Sequence, residues 1–350
     1  MNQMLNRLRK VARIAWFTAL VLTWLGAVAG ALGQWWPPTG IFIHFALQFC
    51  WIGGLLAIAA LLRRRWRGVA AAALLALWQL WIVWPPHPGS GNIASAAASI
   101  STGTSPTTLR IVSFNTWYLN TRYKSMLQYL RDSNADVIGL VEVMPSLKAA
   151  LADLHDIYPY QADCIGTLPR CEEVLLSRWP LKNISAERLA DSAPVVVRAT
   201  LDLPSGPIDV AVTHLSSPLS DLLGSGLFGA TTDRNPFGPP QPMTMQHEQA
   251  ARLGRYFAKL GPDAIMMGDF NATPWSAIMA GLRLAGGWPS DINLAPSWPR
   301  WLSAPLRLPI DHILTRGRLE TTAFDTGPAL TSDHLPVVAE VTVHDEKTAP

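Results

Sequence analysis

The chain contains no aspartate or glutamate before residue 132, and before Arg110 it carries only eight basic residues. These fall in two clusters: Arg7, Arg9, Lys10 and Arg13, then Arg63, Arg64, Arg65 and Arg67. Around them, residues 14–33, 41–62 and 68–84 are apolar and without charge, which excludes an ordinary water-soluble domain in this part of the chain. About 20 apolar residues cross a bilayer core, within a range of roughly 17–25, so three transmembrane helices are expected. A cleaved signal peptide has a shorter apolar core of roughly 7–15 residues and no second and third span behind it. His44 and Gln48 sit one helical turn apart in the second stretch, as weakly polar residues that face neighbouring helices do. Cysteine is scarce, with three in 350 residues. Cys50 falls in a span, where it packs as a small apolar side chain. Cys164 and Cys171 have no histidine between them, so they do not read as a zinc site, and a local disulfide is expected.

The N-terminal clusters take eight of the 28 Lys and Arg, leaving 20 against all 25 Asp and Glu in the remainder. That remainder is therefore near −5 although the whole chain is +3. The basic pI of about 8.8 describes membrane flanks and not a nucleic-acid surface. Short loops rich in Lys and Arg stay on the cytoplasmic side. The N-terminus and the turn at Arg63–Arg67 are thus expected inside an inner (plasma) membrane, and everything after Trp84 outside. Trp35, Trp36, Trp81 and Trp84 then fall at the outer interface, where aromatic side chains collect.

Residues 85–108 are Pro, Gly, Ser, Ala and Thr-rich without charge, a composition that reads as a flexible tether. From residue 109 to about 345 short apolar runs alternate with helical patterns. Strands are expected at 109–114, 136–141, 173–177, 195–201, 208–213, 264–267, 310–314 and 335–343, and helices at 122–132, 145–154, 245–260 and 274–284. Uniformly apolar runs such as Val-Ile-Gly-Leu-Val at 137–141 are strands covered on both faces. The run at 195–201 alternates, with Arg198 and Thr200 between apolar neighbours. This combination predicts an α/β fold with two packed sheets and helices outside, not a single doubly wound sheet.

Polar residues gather at the ends of these runs. Asn115 ends the first strand and Glu142 the second; His214 ends a later one, and Asp269 and Asn271 follow Ala-Ile-Met-Met. Asp311 comes from Pro-Ile-Asp-His-Ile, and Asp333 and His334 from Thr-Ser-Asp-His-Leu-Pro. Taken singly, a carboxylate after a strand is often a helix cap. Seven or eight such placements in one α/β domain point to a site at the strand ends.

The order Asn115, Glu142, Ser177-Arg178, His214, Gly268-Asp269-Phe270-Asn271, Asp311, Ser332-Asp333-His334 resembles the endonuclease/exonuclease/phosphatase superfamily. That superfamily includes DNase I, abasic-site endonucleases, neutral sphingomyelinases and inositol polyphosphate 5-phosphatases. The resemblance implies a four-layer α/β sandwich and a phosphoester hydrolase dependent on Mg²⁺ or Mn²⁺. It assigns Glu142 as principal metal ligand with Asn115 beside it, Asp269 to the attacking water and Asn271 to the phosphate. It gives His334 to the scissile phosphate with Asp333 as its partner, Asp311 to the support of that histidine or a second metal, and His214 to the leaving oxygen. His312 and Arg178 are read as packing residues.

The substrate stays open at this level. A nuclease needs a basic groove, and no basic run lies near these motifs, so a lipid-derived or small phosphodiester stands beside DNA or RNA. A non-catalytic membrane-anchored binding module is the reading furthest from catalysis, and no protein partner is indicated beyond the bilayer. Residues 216–244, with four glycines and five prolines, are long for a connection. They read either as an unstructured insertion or as a lid beside the site.

Overall fold

A computed structural model describes residues 2–33, 35–84, 107–168, 171–190, 194–217, 243–288 and 294–344. It divides into an N-terminal helical unit and a larger C-terminal α/β unit. The expected tether lies outside the described residues, save for Thr107 and Thr108, which already belong to a strand. Of the long insertion, residues 218–242 also lie outside them.

The helical unit contains α1 (Asn2–Leu32), a 3₁₀ segment at Pro37–Phe45, α2 (Ala46–Leu62) and α3 (Trp66–Val83). Three stretches, Gln3–Leu32, Thr39–Leu62 and Trp66–Val83, are long and apolar enough to cross a membrane. Small residues let the helices approach: a Cβ on Gly53 would sit 3.1 Å from the Ala72 carbonyl oxygen and the Ala76 nitrogen. Leu20, Ala27, Ala72 and Leu75 make the shared interior. Leu22, Leu25, Leu55 and Leu77 face outward, each more than 60% exposed. Helices apolar on their outer faces as well as their inner ones are built for lipid rather than water.

In the α/β unit, one sheet has six strands in the order β10-β11-β1-β2-β4-β3 and the other five in the order β5-β6-β7-β8-β9. The strands are β1 (Thr107–Asn115), β2 (Val137–Val141), β3 (Tyr160–Asp163), β4 (Val174–Ser177), β5 (Leu181–Arg188) and β6 (Val195–Leu203). They continue as β7 (Gly206–His214), β8 (Ala264–Asp269), β9 (Asp311–Arg316), β10 (Leu319–Thr326) and β11 (Val337–Val343). β1 runs parallel to β2 and β7 to β8; the other pairings are antiparallel.

Side-chain alternation builds the layers. Val137 and Val141 of β2 join Val197, Val210, Val212 and Ile265 in the core between the sheets. Ile138 and Leu140, on the other face of β2, pack against Met126 and Leu130 of α4 (Lys124–Asp132) and Leu147 of α5 (Pro145–Ala150). The second sheet buries Ala211, Ala264 and Met266 under Leu253 and Phe257 of α6 (Met243–Phe257) and Ile278 and Leu282 of α7 (Ala277–Gly286). The result is helix, sheet, sheet, helix. Gly139 sets the sheet spacing locally, since a Cβ there would lie 2.5 Å from the Met267 sulfur.

The sequence expectation omits three strands, β3, β5 and β10, all at sheet edges. An edge strand has one unpaired flank and needs less apolar cover, and the β5 pattern Leu-Lys-Asn-Ile-Ser-Ala-Glu-Arg is accordingly mostly exposed. The helix expected at 145–154 is an α-turn to Ala150 continued by a 3₁₀ turn over Leu151–Leu154. Asp311 starts β9, which runs antiparallel to β8 and brings Asp311 opposite Asp269. Cys164 and Cys171, both buried in the core between the sheets, form the expected disulfide, with Cα atoms 5.6 Å apart.

Candidate active site

The parallel pairs β1–β2 and β7–β8 end at the same edge of the sandwich, and the start of β9 and the chain before β11 meet them there. Seven of the eight polar side chains singled out by their positions at strand ends, all but Asp333, are thereby gathered. Asn115 is central: its Nδ2 donates to Glu142 Oε1 at 2.9 Å and to Asp269 Oδ2 at 3.1 Å. Its Oδ1 accepts from the Trp117 amide, fixing the turn after β1. Glu142 Oε2 accepts from the Tyr118 amide at 2.9 Å. Glu142 has φ +57° and Asn271 φ +48°. A left-handed backbone is uncommon outside glycine and occurs where a site demands a particular side-chain direction.

Gly-Asp-Phe-Asn owes its glycine to sheet geometry. Gly268 has φ +142°, and a Cβ there would fall 1.9 Å from the Thr213 carbonyl oxygen of β7. Only glycine lets β8 finish beside β7, and this close approach sets Asp269 opposite His214 in register. Asp269 Oδ1 accepts from the Asn271 amide at 2.7 Å. Asn271 Nδ2 reaches the Leu215 carbonyl oxygen at 2.8 Å and lies 3.2 Å from His214 Nε2. His214 Nε2 stands 3.7 Å from Glu142 and 3.8 Å from Asp269.

On the other side, His334 Nδ1 meets Asp311 Oδ2 at 2.7 Å, and its Nε2 stands 3.7 Å from Asp269 Oδ2. Ser332 locks this end, donating to the Asn115 carbonyl oxygen and accepting from the His334 amide. The expected pairing of His334 with Asp333 is corrected here. Asp311 holds the imidazole, while Asp333 turns away and accepts from the Trp298 indole N–H at 3.2 Å. Asp333 and His334 lie in a bend before β11, and their side chains turn to different partners.

His312 and Arg178 stand apart, as their packing assignment requires. His312 Nε2–H donates to the Ala272 carbonyl oxygen and its ring lies against Phe270. Burial lowers its pKa to about 4, so it is neutral. Arg178 lies over the Tyr158 ring, and its neighbour Ser177 pairs with Val137 at the start of β2, the end away from Glu142.

Burial governs the electrostatics. It raises the pKa of Glu142 against the opposing bonds from Asn115 and Tyr118. It raises Asp269 well above the carboxylate range, with Asp311 adding repulsion and His334 opposing. Burial alone would lower His334, but Asp311 and Asp269 outweigh it and bring the imidazole to about 10. Two overlapping sets, Glu142 with His214 and Asp269, and Asp269 with Asp311 and His334, each bring ligand atoms within 4.8 Å of one another. Buried carboxylates drawn together at the cost of their own ionisation, with a histidine beside them, are a donor set that fits a hard divalent cation.

Three contributors escape the sequence reading. The Tyr118 amide has no side-chain signature. Trp298 comes from an irregular segment without periodicity. Gln246 of α6, 1% exposed, donates to the Asn271 carbonyl oxygen and looks in sequence like any polar helix residue.

Residues 112–334 match the sequence profile of the endonuclease/exonuclease/phosphatase family. The chain belongs to that family. Among proteins of curated function none matches the sequence significantly. Solved structures share the family fold at low identity. An endonuclease/exonuclease/phosphatase from Bacteroides vulgatus aligns with TM-score 0.53 and 15% identity, over 68% of this chain and 100% of its own. A humanized D. rerio TDP2 aligns with TM-score 0.51 and 14% identity, over 67% of this chain and 98% of its own. A Bacteroides thetaiotaomicron family protein aligns with TM-score 0.50 and 16% identity, over 68% and 98%. The N-terminal helices precede the family match, which begins well after Val83.

Proposed function

We propose that this family hydrolase is a membrane-anchored, divalent-metal-dependent phosphodiesterase acting by in-line attack of water on phosphorus. The observation that carries the reading is Asp269, whose Oδ2 stands within hydrogen-bond or near-contact distance of Asn115, Asn271, His214 and His334 at once. One carboxylate oxygen so surrounded is placed to orient a water and accept its proton. His334, kept cationic by Asp311, and the Asn271 amide are donors for the non-bridging oxygens as negative charge develops on them. His214, on the opposite side of Asp269, is the proton donor for the leaving oxygen. Glu142 and Asn115 would hold the metal, with His214 and Asp269 bordering the same space. Mg²⁺ or Mn²⁺ bound there supplies charge neutralisation and Lewis acidity toward phosphoryl oxygen.

The hydrolase domain spans 109–345 behind a tether, on the outer side of the membrane, and its substrate is a lipid-derived or small phosphodiester. The two basic clusters flanking uncharged turns support this topology. The Cys164–Cys171 disulfide supports it independently, because such bonds persist outside the reducing cytoplasm.

The test is hydrolysis of bis-p-nitrophenyl phosphate by the full chain in detergent, with and without EDTA. EDTA abolishes turnover. Glu142→Gln weakens metal binding and is partly restored by excess Mg²⁺ or Mn²⁺. Asp269→Asn loses roughly 10²–10⁴-fold in rate and is not restored. Activity that persists in EDTA, or near wild-type rates in both variants, removes this reading. Preference for DNA or RNA over every small diester would replace the substrate assignment with a nuclease.

A further inference from the structure

The segment between Trp298 and Leu308 closes on itself through a backbone bridge between those two residues. Its base belongs to the site. The Trp298 indole bonds Asp333 and stands 6.3 Å from the His334 ring, and the Arg300 amide donates to the Asp333 carbonyl oxygen. Within the loop, Arg307 donates to the Leu302 and Arg300 carbonyl oxygens, and the Leu302, Leu306 and Arg307 amides find carbonyl partners inside it. The backbone is thus fixed, yet residues 301–306, Trp-Leu-Ser-Ala-Pro-Leu, are all exposed. Trp301 is 63% exposed, Leu302 36% and Leu306 53%. Leu119, next to Tyr118, and Met144, two residues after Glu142, are exposed as well.

A braced loop that spends its apolar side chains on solvent contributes nothing to the fold's interior, and contiguous exposed apolar surface marks an interaction site. Three features name the occupant. The chain carries three helices able to cross a membrane. Only 22 residues separate Trp84 from Thr107, a length that even fully extended spans at most about 80 Å. From Ile292 to Ile310 there is no acidic residue, while Arg300 and Arg307 are basic, a balance that suits an anionic lipid surface. Tryptophan and leucine beside arginine is the composition of segments that settle at the headgroup boundary. The geometry points to loop 301–306 as a bilayer-docking element that sets the mouth of the active site against the lipid surface and selects phosphoesters held there. The inference rests on the hydrolase reading above for its substrate, but the docking itself does not.

The full chain with Cys50→Ala is reconstituted into vesicles of phosphatidylcholine and phosphatidylglycerol containing doxyl-labelled phosphatidylcholine as quencher. One fluorescent label is attached at Leu302→Cys, or at Lys182→Cys on β5, at the sandwich end away from the site. The Leu302 label is quenched several-fold more than the Lys182 label; equal quenching, as a protein-binding loop or a free one gives, overturns the docking. In the same vesicles, the triple variant Trp301→Ser, Leu302→Ser, Leu306→Ser hydrolyses soluble bis-p-nitrophenyl phosphate within about twofold of wild type. Its rate on a fluorescent phospholipid falls at least about tenfold, the order expected from withdrawing even one large apolar side chain from lipid. Equal loss on both substrates, or no loss on the phospholipid, overturns the selection. A quenched Leu302 label with no phosphodiester turnover by wild type leaves the docking standing and removes the hydrolase reading. Turnover of the soluble diester with an unquenched label does the reverse.

Discussion

Replacing Asp311 by asparagine removes the carboxylate that keeps His334 charged while preserving shape at a fully buried position. In the native site the His334 pKa stands at about 10 against an ordinary 6.5, with Asp311 at 2.7 Å and Asp269 at 3.7 Å as the groups that raise it against burial. At about 1.4 kcal/mol per unit, that net preference for the cation is on the order of 5 kcal/mol, gained against an opposing burial penalty. The sign is that of a raised pKa: the imidazolium persists through neutral pH and is lost only as pH rises through about 10, and the stability it contributes is complete below pH 6.5. Without Asp311, the more distant Asp269 must oppose the same burial, so the pKa falls and His334 is largely neutral in mildly basic solution. Losing one charged donor for the phosphoryl oxygens costs about 10²–10³ in rate. Rate against pH for bis-p-nitrophenyl phosphate at saturating Mg²⁺ therefore shows its basic limb moved acidward in Asp311→Asn, with part of the loss recovered toward about pH 5. Asp333→Asn is the graded control, because that carboxylate faces Trp298 and raises His334 less than Asp311 or Asp269 does, so its limb moves much less. A uniform loss at every pH in Asp311→Asn, or an unmoved limb, refutes the assignment of a cationic His334.

Gly268→Ala forces a Cβ to within 1.9 Å of a β7 carbonyl oxygen at φ +142°, so β8 must shift; strain of about 1–3 kcal/mol or more and a large loss of turnover are expected, read by melting temperature and rate. Glu173 is buried and its pKa is raised to about 8 by desolvation. The stability it contributes is complete below pH 4.5 and is lost as pH rises through about 8. Glu173→Gln flattens that slope and gains up to a few kcal/mol at the basic end, measured by thermal unfolding of the full chain in detergent at both ends of the range. For topology, alkaline phosphatase fused after residue 108 is active, whereas activity only at fusions within the Arg63–Arg67 turn reverses the orientation.

The sheets were legible where burial left no choice. β2 and β8 are apolar on both faces because each lies inside its sheet with a core on either side, and such runs announce themselves in any frame. β3, β5 and β10 escape because an edge strand covered on one face tolerates Lys, Asn, Ser and Glu, and its pairing partner, not its own composition, makes it a strand. The helix ends were read less well for a related reason: neither α4 nor α5 begins with a side-chain cap to mark its start. Their limits come from the loops that the sheets impose.

The site was legible for the opposite reason. Its residues break the pattern of their surroundings. A lone Asp, Asn or His at the end of an apolar run has no packing role that its neighbours share, and parallel strands bring such run-ends to one edge whatever the loops do. What the sequence does not carry is direction. Asp311 and Asp333 are equally acidic and equally close in sequence order to a histidine, yet an antiparallel β9 turns Asp311 into the site opposite Asp269. The bend before β11 turns Asp333 to Trp298. Choosing between those two carboxylates requires strand orientation and register, which are long-range properties of the pairing. The same holds for the Tyr118 amide and for the loop at 301–306, where function lies in backbone placement and in exposure rather than in residue type.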